Sequence, residues 1–334
     1  MFAASSRADL SLAMHMRTFG RLGWQVSEVG YGLWGMGGWT GSDDDESTLA
    51  LERSIALGCN FFDTALAYGN GKSEQLLGPV VRKHAGKKLY VATKIPPKNL
   101  KWPALDEYTL DDVYPADHIR KSTEISLTNL GTSSVDLQQF HVWTDTWATD
   151  DRWQRAAADL KSEGLVKGIG ISVNRWEPAN VLKALRTGIV DSVQVVYNLF
   201  DQDPEEELFP ACRELGIAVI ARVPFDEGSL TGTMTADATF PAGDWRNLYF
   251  SKDKLPAILE RVEQVRADVP QGMTMPDLAL RFILANRDVS TIIPGMRRPR
   301  HVEANLAVSD GQPLSADLMT RLRKHAWNRT YFVP

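Results

Sequence analysis

Cysteine and long apolar runs are what this chain has least of. Its 334 residues include two cysteines, Cys59 and Cys212, which are too few for a disulfide scaffold and are typical of a reducing compartment. No stretch approaches the roughly 18 consecutive apolar residues of a membrane span. We therefore expect a soluble, cytoplasmic protein without a membrane partner.

Basic charge is also scarce. Lys and Arg number 37 against 42 Asp and Glu, which gives a net charge of -5, and no basic block stands out. Because nucleic-acid binding depends on neutralising phosphates, we expect no nucleic-acid partner. The six histidines lack the spacing of a metal site, so we expect no metal. Residues 1–16 are rich in Ala and Ser, which predicts a flexible extension and not a secretory signal.

A regular alternation is what the sequence does contain. After an N-terminal hairpin predicted over 17–28, short apolar runs alternate eight times with longer amphipathic segments. Runs such as VQVV at 193–196 and AVIA at 218–221 are almost continuously apolar, as parallel strands buried on both faces are. An open doubly wound sheet would show the same alternation. No Pro/Gly/Ser-rich linker divides the chain, and this favours one α/β domain over 17–334, a (β/α)8 TIM barrel with a C-terminal helical tail.

A glycine motif near the start of the chain needs a separate interpretation. Residues 30–35, GYGLWG, match the dinucleotide pattern G-x-G-x-x-G. That pattern binds a pyrophosphate only where a helix begins at once, and here further glycines follow, which disfavour a helix. We interpret these glycines as positions where two backbones approach closely at the end of the first strand.

Four polar side chains stand at or just beyond the ends of predicted strands. Asp63, Lys94 and His141 end apolar runs, and Tyr68 follows Asp63 by five positions. Taken singly, each has an ordinary explanation as a helix cap, a solvated strand end, a core histidine or a packed ring. Together they predict a site, because strand ends share one mouth of a barrel and because burying Asp and Lys is costly unless they pair.

The surrounding sequence resembles the aldo-keto reductase superfamily. The segment GCNFFDTALAYG at 58–69, followed by SEQLLG at 73–78, is similar to the first family signature, and GLVKGIGIS at 164–172 to the second. QVVYN at 194–198 and the segment 293–305 resemble cofactor-binding segments. The resemblance implies an NADP(H)-dependent reductase of a small-molecule carbonyl substrate, with Asp63, Tyr68, Lys94 and His141 at the catalytic positions. It implies no particular oligomeric state.

The chemistry of these side chains is consistent with carbonyl reduction. A phenol with an ordinary pKa of about 10 keeps its proton at neutral pH but donates it reluctantly. We expect Lys94 to lower the pKa of Tyr68, Asp63 to keep Lys94 charged and in place, and His141 to orient the carbonyl. Tyr68 is then the general acid.

The resemblance also implies a set of cofactor contacts. Ser172, Asn174 and Gln194 correspond to residues that hold the nicotinamide carboxamide, although a polar turn explains Asn174 equally well. Arg222 replaces a common stacking tyrosine, and either stacking or a pyrophosphate contact is open to it. Arg297, Arg298 and Arg300 suit a 2′-phosphate, which favours NADP over NAD. The other cofactor positions are Gly32, Leu33, Trp34, Asp63, Val223, Pro224, Phe225, Gly228, Leu230, Gly295, Met296, His301 and Asn305.

Aromatic residues beyond the strand ends predict the substrate pocket. Trp34 and Trp143, together with Tyr68 and His141, are expected to contact the substrate, and Phe225 is expected to help form the apolar wall. We expect three further loop tryptophans to extend the pocket: Trp39, Trp102 and Trp147. Two other functions use the same residues. One is an NADP(H)-binding, redox-sensing regulatory subunit with little turnover, and the other is an NADP-dependent alcohol or sugar dehydrogenase.

Overall fold

A computed structural model describes residues 14–38 and 42–327 of the chain. Within these residues the strands form a two-stranded sheet and an eight-stranded sheet. The strands are β1 (Met16–Phe19), β2 (Trp24–Ser27), β3 (Tyr31–Gly32), β4 (Phe61–Asp63), β5 (Tyr90–Ile95), β6 (Val135–Phe140), β7 (Val166–Ser172), β8 (Ser192–Val196), β9 (Ala218–Arg222) and β10 (Val289–Ile292).

Helices separate most of the strands. They are α1 (Asp44–Ala56), α2 (Lys72–Lys83), α3 (Leu110–Val113), α4 (Ala116–Leu130), α5 (Asp151–Ser162), α6 (Leu182–Leu185), α7 (Leu208–Leu215), α8 (Arg246–Tyr249), α9 (Leu255–Ala267), α10 (Met275–Ala285), α11 (Pro299–Leu306) and α12 (Ala316–Arg323). The amphipathic pattern of 178–188 predicts a helix, but the structure has only α6 there, because the backbone at Val181 is still non-helical. None of the helices in the described ranges combines the length and apolarity that crossing a membrane requires.

The eight-stranded sheet is a nearly closed parallel barrel, as predicted. Strands β3 to β10 pair with their sequence neighbours in order, and parallel bridges from Val29 to Ile292 and from Gly32 to Gly295 join the two edges. A Cβ on Gly32 would lie 2.6 Å from the carbonyl oxygen of Ile293. Closure of the barrel therefore requires glycine at this position, which confirms our interpretation of the glycine motif.

The N-terminal hairpin covers the end of the barrel where the strands begin. Strands β1 and β2 are antiparallel, and Phe19 packs its ring 5.4 Å from that of Phe61, at the start of β4. The extension predicted over 1–16 lies mostly outside the described residues. Its last part differs from the prediction, because the His15 N–H donates to Ser309 Oγ at 2.9 Å and Met16 begins β1.

The strand period of two residues sorts the barrel interior into layers. Phe61, Ala92 and Leu137 are part of one buried apolar cluster inside the barrel. Two residues further along the same strands come Asp63, Lys94 and Gln139, which face the same way because alternate residues of a strand share a face. A polar layer therefore lies directly above the apolar one, at the carboxyl ends of the strands.

Candidate active site

Neighbouring strands bring the predicted catalytic residues to one place. In the β4–β5 and β5–β6 registers Asp63 is opposite Ala92, and Lys94 is opposite Gln139. Lys94 is completely buried and Asp63 is 1% exposed, whereas Tyr68 and His141 are partly exposed at the mouth. A buried cation therefore lies beneath two groups that a ligand at the mouth can contact.

Lys94 uses all three of its N–H groups. Its Nζ donates to Asp63 Oδ1 at 2.5 Å, to the carbonyl oxygen of Thr64 at 2.8 Å and to Tyr68 Oη at 3.1 Å. Because an ammonium group only donates, the Tyr68 oxygen is an acceptor in the last of these bonds. The phenolic proton of Tyr68 is therefore available to a different acceptor, and the predicted contact between ammonium and phenol is present.

The pKa of Tyr68 departs from our expectation. Burial raises the pKa of Tyr68, and although Lys94 acts in the opposite direction, it does not outweigh burial. Burial also disfavours the charge on Lys94, but Asp63 and Tyr68 more than compensate, so that the pKa of Lys94 is raised. Burial thus favours the protonated form of Tyr68, and Asp63 and Tyr68 favour the charged form of Lys94 beside it. We expected Lys94 to lower the pKa of Tyr68. The net shift is upward, so this expectation was wrong, because desolvation of the phenolate is the larger effect.

His141 is a neutral imidazole at the mouth. Burial lowers the pKa of His141 well below its usual value, and the positive charges of Lys94 and Arg222 act in the same direction. Its Nδ1 is buried and has no hydrogen-bond partner among the described residues. The rings of Tyr68 and Trp102 both lie edge-on to His141, with centroids 5.8 Å away. A neutral imidazole is suited to a hydrogen bond with a ligand and not to supplying a proton.

Two glutamine amides hold the second oxygen of Asp63. Gln194 Nε2 donates to Asp63 Oδ2 at 2.8 Å and Gln139 Nε2 at 3.0 Å, and Gln194 Nε2 also donates to Gln139 Oε1 at 3.2 Å. Gln194 was among the residues predicted from the sequence, whereas Gln139 was not. The signal was available, because Gln139 shares the inward face of β6 with Leu137 and is two residues before His141.

Arg222 is the most unusual residue of this mouth. It ends β9, where one terminal N–H donates to the carbonyl oxygen of Val173 at 3.0 Å. Burial lowers the pKa of Arg222, and its Nε is buried without a partner among the described residues. Ser172 ends β7 nearby, while the Asn174 amide donates to the carbonyl oxygen of Ala104 at 3.1 Å. The side chain of Asn174 therefore has a structural partner, as the alternative reading of a polar turn requires.

The remaining predicted cofactor positions lie at the end of β3, on the loops after β3, β9 and β10, and in α11. Gly295 is exposed, and a Cβ there would meet no atom within 4 Å, whereas Arg297 lies across Gly35. Arg298 pairs with Glu46 at 3.4 Å. The positions with a buried side chain can offer a ligand only their backbone: Leu33, Pro224, Leu230 and Met296. Partly or fully accessible positions are Gly32, Trp34, Val223, Phe225, Gly228 and His301, while Asn305 is 7% exposed.

One predicted substrate residue is placed elsewhere. Trp143 is completely buried in an aromatic cluster with Phe140, Trp147 and Trp153, and its Nε1 donates to Asp145 Oδ1 at 3.2 Å. It has no surface at the mouth, so its assignment to the substrate pocket was wrong. Trp147, expected to extend the pocket, is likewise in this cluster and only 4% exposed, and Trp39 lies outside the described residues. Trp102, which is 47% exposed and edge-on to His141, is the tryptophan that the structure places there.

Comparison with known proteins agrees with this geometry. The model of the Aldo/keto reductase family matches residues 28–326. The chain belongs to this family. An NADH-specific methylglyoxal reductase of Escherichia coli strain K12 is 29% identical over 84% of this chain and 89% of its own length. The NADP(+) aldo-keto reductase yakc of Schizosaccharomyces pombe is 28% identical over 84% and 83%. The glycerol dehydrogenase AKR11B4 of Gluconobacter oxydans superposes with a TM-score of 0.74, at 26% identity over 95% of each chain.

Membership in the aldo/keto reductase family makes this chain an oxidoreductase that acts with a nicotinamide cofactor. The residues at the mouth fit such a group. Arg222 Nε and His141 Nδ1 are buried polar atoms without a partner in the described part of the chain, and the backbone at Gly295 is open. Polar groups of this kind are costly to bury unless a ligand or water satisfies them.

Proposed function

We propose that this aldo/keto reductase uses NADPH to reduce an aldehyde or ketone to the alcohol, with Tyr68 as the general acid. One observation carries the proposal. A buried lysine donates one hydrogen bond to the Tyr68 oxygen at 3.1 Å and uses its other two N–H groups on Asp63 and Thr64. The cation is therefore held where a phenolate would form, and the phenolic proton stays free for the substrate.

Each side chain has a definite part in the proton transfer. The Tyr68 O–H donates to the carbonyl oxygen, and neutral His141 donates a hydrogen bond to the same oxygen. When bound, the reduced nicotinamide supplies the hydride for the carbonyl carbon. As the O–H bond of Tyr68 breaks, the positive charge of Lys94 stabilises the phenolate, and Asp63 keeps that lysine charged.

The protonation state of Tyr68 suits the part that we propose for it. Oxidation of an alcohol needs a phenolate as the base, whereas reduction needs the protonated phenol. Because burial raises the pKa of Tyr68, the protonated form predominates at neutral pH. This supports Tyr68 as the acid of the reductive direction. The same residues would catalyse the reverse reaction, and the similar Gluconobacter protein is named a glycerol dehydrogenase.

The residues proposed to bind the cofactor fall into two groups. Ser172 and Arg222 end β7 and β9, and Gln194 lies in the middle of β8. These three residues would hold the nicotinamide end. The exposed or half-buried Arg297, Arg298 and Arg300 would bind a 2′-phosphate, since guanidinium groups suit phosphate oxygens. Of the relatives, one is named NADH-specific and another NADP(+), and this basic group is why we favour NADP(H).

The test is a screen of aldehydes and ketones, including methylglyoxal, that follows the loss of NADPH and, separately, NADH absorbance. We expect turnover with lower KM for NADPH than for NADH. Tyr68→Phe should lower kcat by about 10²- to 10⁴-fold and leave the Kd of NADPH unchanged. Tyr108→Phe is the matched control, because Lys101 lies over the Tyr108 ring at 5.3 Å, as Lys94 lies over Tyr68 at 4.8 Å.

Three outcomes would contradict parts of the proposal. Full activity of Tyr68→Phe would remove Tyr68 from the role of general acid. Equal KM values for the two cofactors would end the preference for NADP(H). Tight binding of NADPH without turnover of any carbonyl compound would instead support the redox-sensing regulatory subunit.

A further inference from the structure

The second oxygen of Asp63, Oδ2, accepts hydrogen bonds from two glutamine amides, and the donor and acceptor of each bond can be assigned. A carboxylate only accepts hydrogen bonds, so both glutamines must turn their NH2 groups toward Asp63 Oδ2. Gln194 Nε2 then donates its two hydrogens to Asp63 Oδ2 and to Gln139 Oε1. The oxygen of Gln194 is consequently the only polar atom of that amide left for a further partner.

The architecture of the barrel makes room for this contact. Gln139 is on β6 and Gln194 on β8, with β7 between them. On β7 the intervening residue is Gly170, and a Cβ there would lie 2.8 Å from Gln139 Cγ and 2.5 Å from Ser192 Oγ. The side chain of Gln139 therefore reaches Gln194 across a glycine. All three polar residues are within 1% of complete burial, so water does not compete for these bonds.

We propose that Gln139 is a positioning residue that fixes both Asp63 and the orientation of the Gln194 amide. Gln139 holds Asp63 Oδ2 while Lys94 holds Oδ1, and its own oxygen prevents the Gln194 amide from flipping. Asp63 thereby couples Lys94 and the proton donor Tyr68 to a residue that we assign to the cofactor. This inference rests on the proposed function, since it gives Asp63 and Gln194 the parts described above.

Gln139 could have a purely structural role, which would be to satisfy buried polar atoms. The adjacent residue, Gln138, provides a control for such a role. Gln138 is equally buried, but it faces the other side of β6, where its Nε2 donates to Thr123 Oγ1 at 3.2 Å. Gln138→Met and Gln139→Met make the same change in the same strand. Only the second touches the proposed network.

The first experiment compares these two variants by kcat, KM and the Kd of NADPH, with circular dichroism as a check of folding. Hydrogen bonds to a charged group are among the stronger ones, so we expect Gln139→Met to lower kcat roughly tenfold or more. Freed from Gln139, Gln194 can turn its amide, and the Kd of NADPH should rise several-fold. The carbonyl KM should stay unchanged. Gln138→Met should leave all three constants unchanged.

A second variant tests positioning through its pH profile. In Gln139→Glu a protonated carboxyl can donate to Asp63 as the amide does, but an ionised one repels it. The charged and titratable groups facing this place are Lys94, Tyr68, His141 and Arg222. Two adjacent carboxyls raise the pKa of one of them. We therefore expect kcat of Gln139→Glu to fall as the pH rises, with no such fall in the wild type or in Gln138→Glu.

The outcomes separate this inference from the proposed function. If Gln139→Met folds and its kcat and NADPH Kd match those of Gln138→Met, Gln139 does not position the site. A pH profile of Gln139→Glu that matches the wild type would overturn it as well. If the wild type reduces no carbonyl compound, the proposed function fails, and the Kd comparison of the two methionine variants still decides the role of Gln139.

Discussion

The two sides of the barrel mouth differ in how far their polar groups are satisfied. On the β4–β5 side, Lys94 places every N–H on an acceptor, and both oxygens of Asp63 accept hydrogen bonds. On the β9 side, Arg222 leaves its Nε buried without a partner in the described residues. The following loop holds Val223, Asp226 and Glu227 at positive φ of 56°, 46° and 57°. Left-handed backbone is unfavourable for such residues, most of all for β-branched valine.

This difference shows where function and stability agree and where they conflict. The groups of the β4–β5 side stabilise one another, so the arrangement that would transfer a proton is also the one that holds the strands together. The β9 side contains an unpaired buried donor and strained backbone, and both features cost folding free energy. Strain that is retained at a mouth is typical of a ligand-binding loop.

Replacing Lys94 tests the first half of the comparison and should have the largest effect. Lys94→Met leaves the buried carboxylate of Asp63 without its cation, which we expect to lower the free energy of unfolding by about 3–5 kcal/mol. The kcat for carbonyl reduction should also fall by roughly 10²-fold or more. Denaturant unfolding and steady-state kinetics measure these two effects.

Lys88→Met is the control for this variant. Lys88 also lies over a tyrosine ring, 5.2 Å from the centroid of Tyr90, but it is exposed. We expect its replacement to change neither stability nor kcat by much, since exposed charges contribute little. If Lys94→Met is instead as stable as the wild type, the polar groups of the β4–β5 side do not stabilise the fold as we expect.

The sequence predicted the β4–β5 side well because its information is local. Apolar strands that end in Asp63 and Lys94 within a barrel determine which residues meet, since the carboxyl ends of neighbouring strands share one layer. The same rule places His141 beside them. It also applies to Gln139. This residue was missed because the alternation of side chains along β6, which places Gln139 on the inward face, was not considered.

The loops were predicted less well, for a physical reason. Trp143 and Trp102 both follow a strand, yet one is in the core and the other is at the mouth, because neighbouring aromatic residues surround only Trp143. The long segment between β9 and α9 includes the short helix α8 and the left-handed residues, neither of which the sequence pattern predicted. The net pKa of Tyr68 likewise depends on burial, which no single motif encodes.

Replacing Arg222 tests the second half of the comparison. Arg222→Met removes a buried guanidinium with an unpaired Nε, so we expect the apoprotein to keep its stability or gain about 1 kcal/mol. The Kd of NADPH should rise roughly tenfold. Arg175→Met is the matched contrast, because Arg175 is a buried arginine whose terminal N–H groups bind both Asp201 and Asp226 at 2.6 Å. That variant should be destabilised, and an equal loss of stability in both would contradict the comparison.

Replacing Glu227 should have the smallest effect on stability. It tests whether a buried carboxyl adds to the cost of folding the β9 side. Burial raises the pKa of Glu227 to about 7, although Arg175 opposes the shift. A carboxyl whose pKa is higher in the folded than in the unfolded protein binds its proton more tightly when folded. Its contribution to stability is therefore complete below the unfolded pKa of about 4.3 and is lost as the pH rises through about 7.

Glu227→Gln removes this ionisation. Thermal melts of the apoprotein between about pH 5 and pH 8 should show the variant becoming more stable relative to the wild type as the pH rises, by about 1 kcal/mol. Glu260→Gln, at an exposed glutamate of α9, should show no such trend. If the wild type and Glu227→Gln instead keep a constant difference over this range, Glu227 does not titrate there. The cost of the β9 loop would then lie in its left-handed backbone alone.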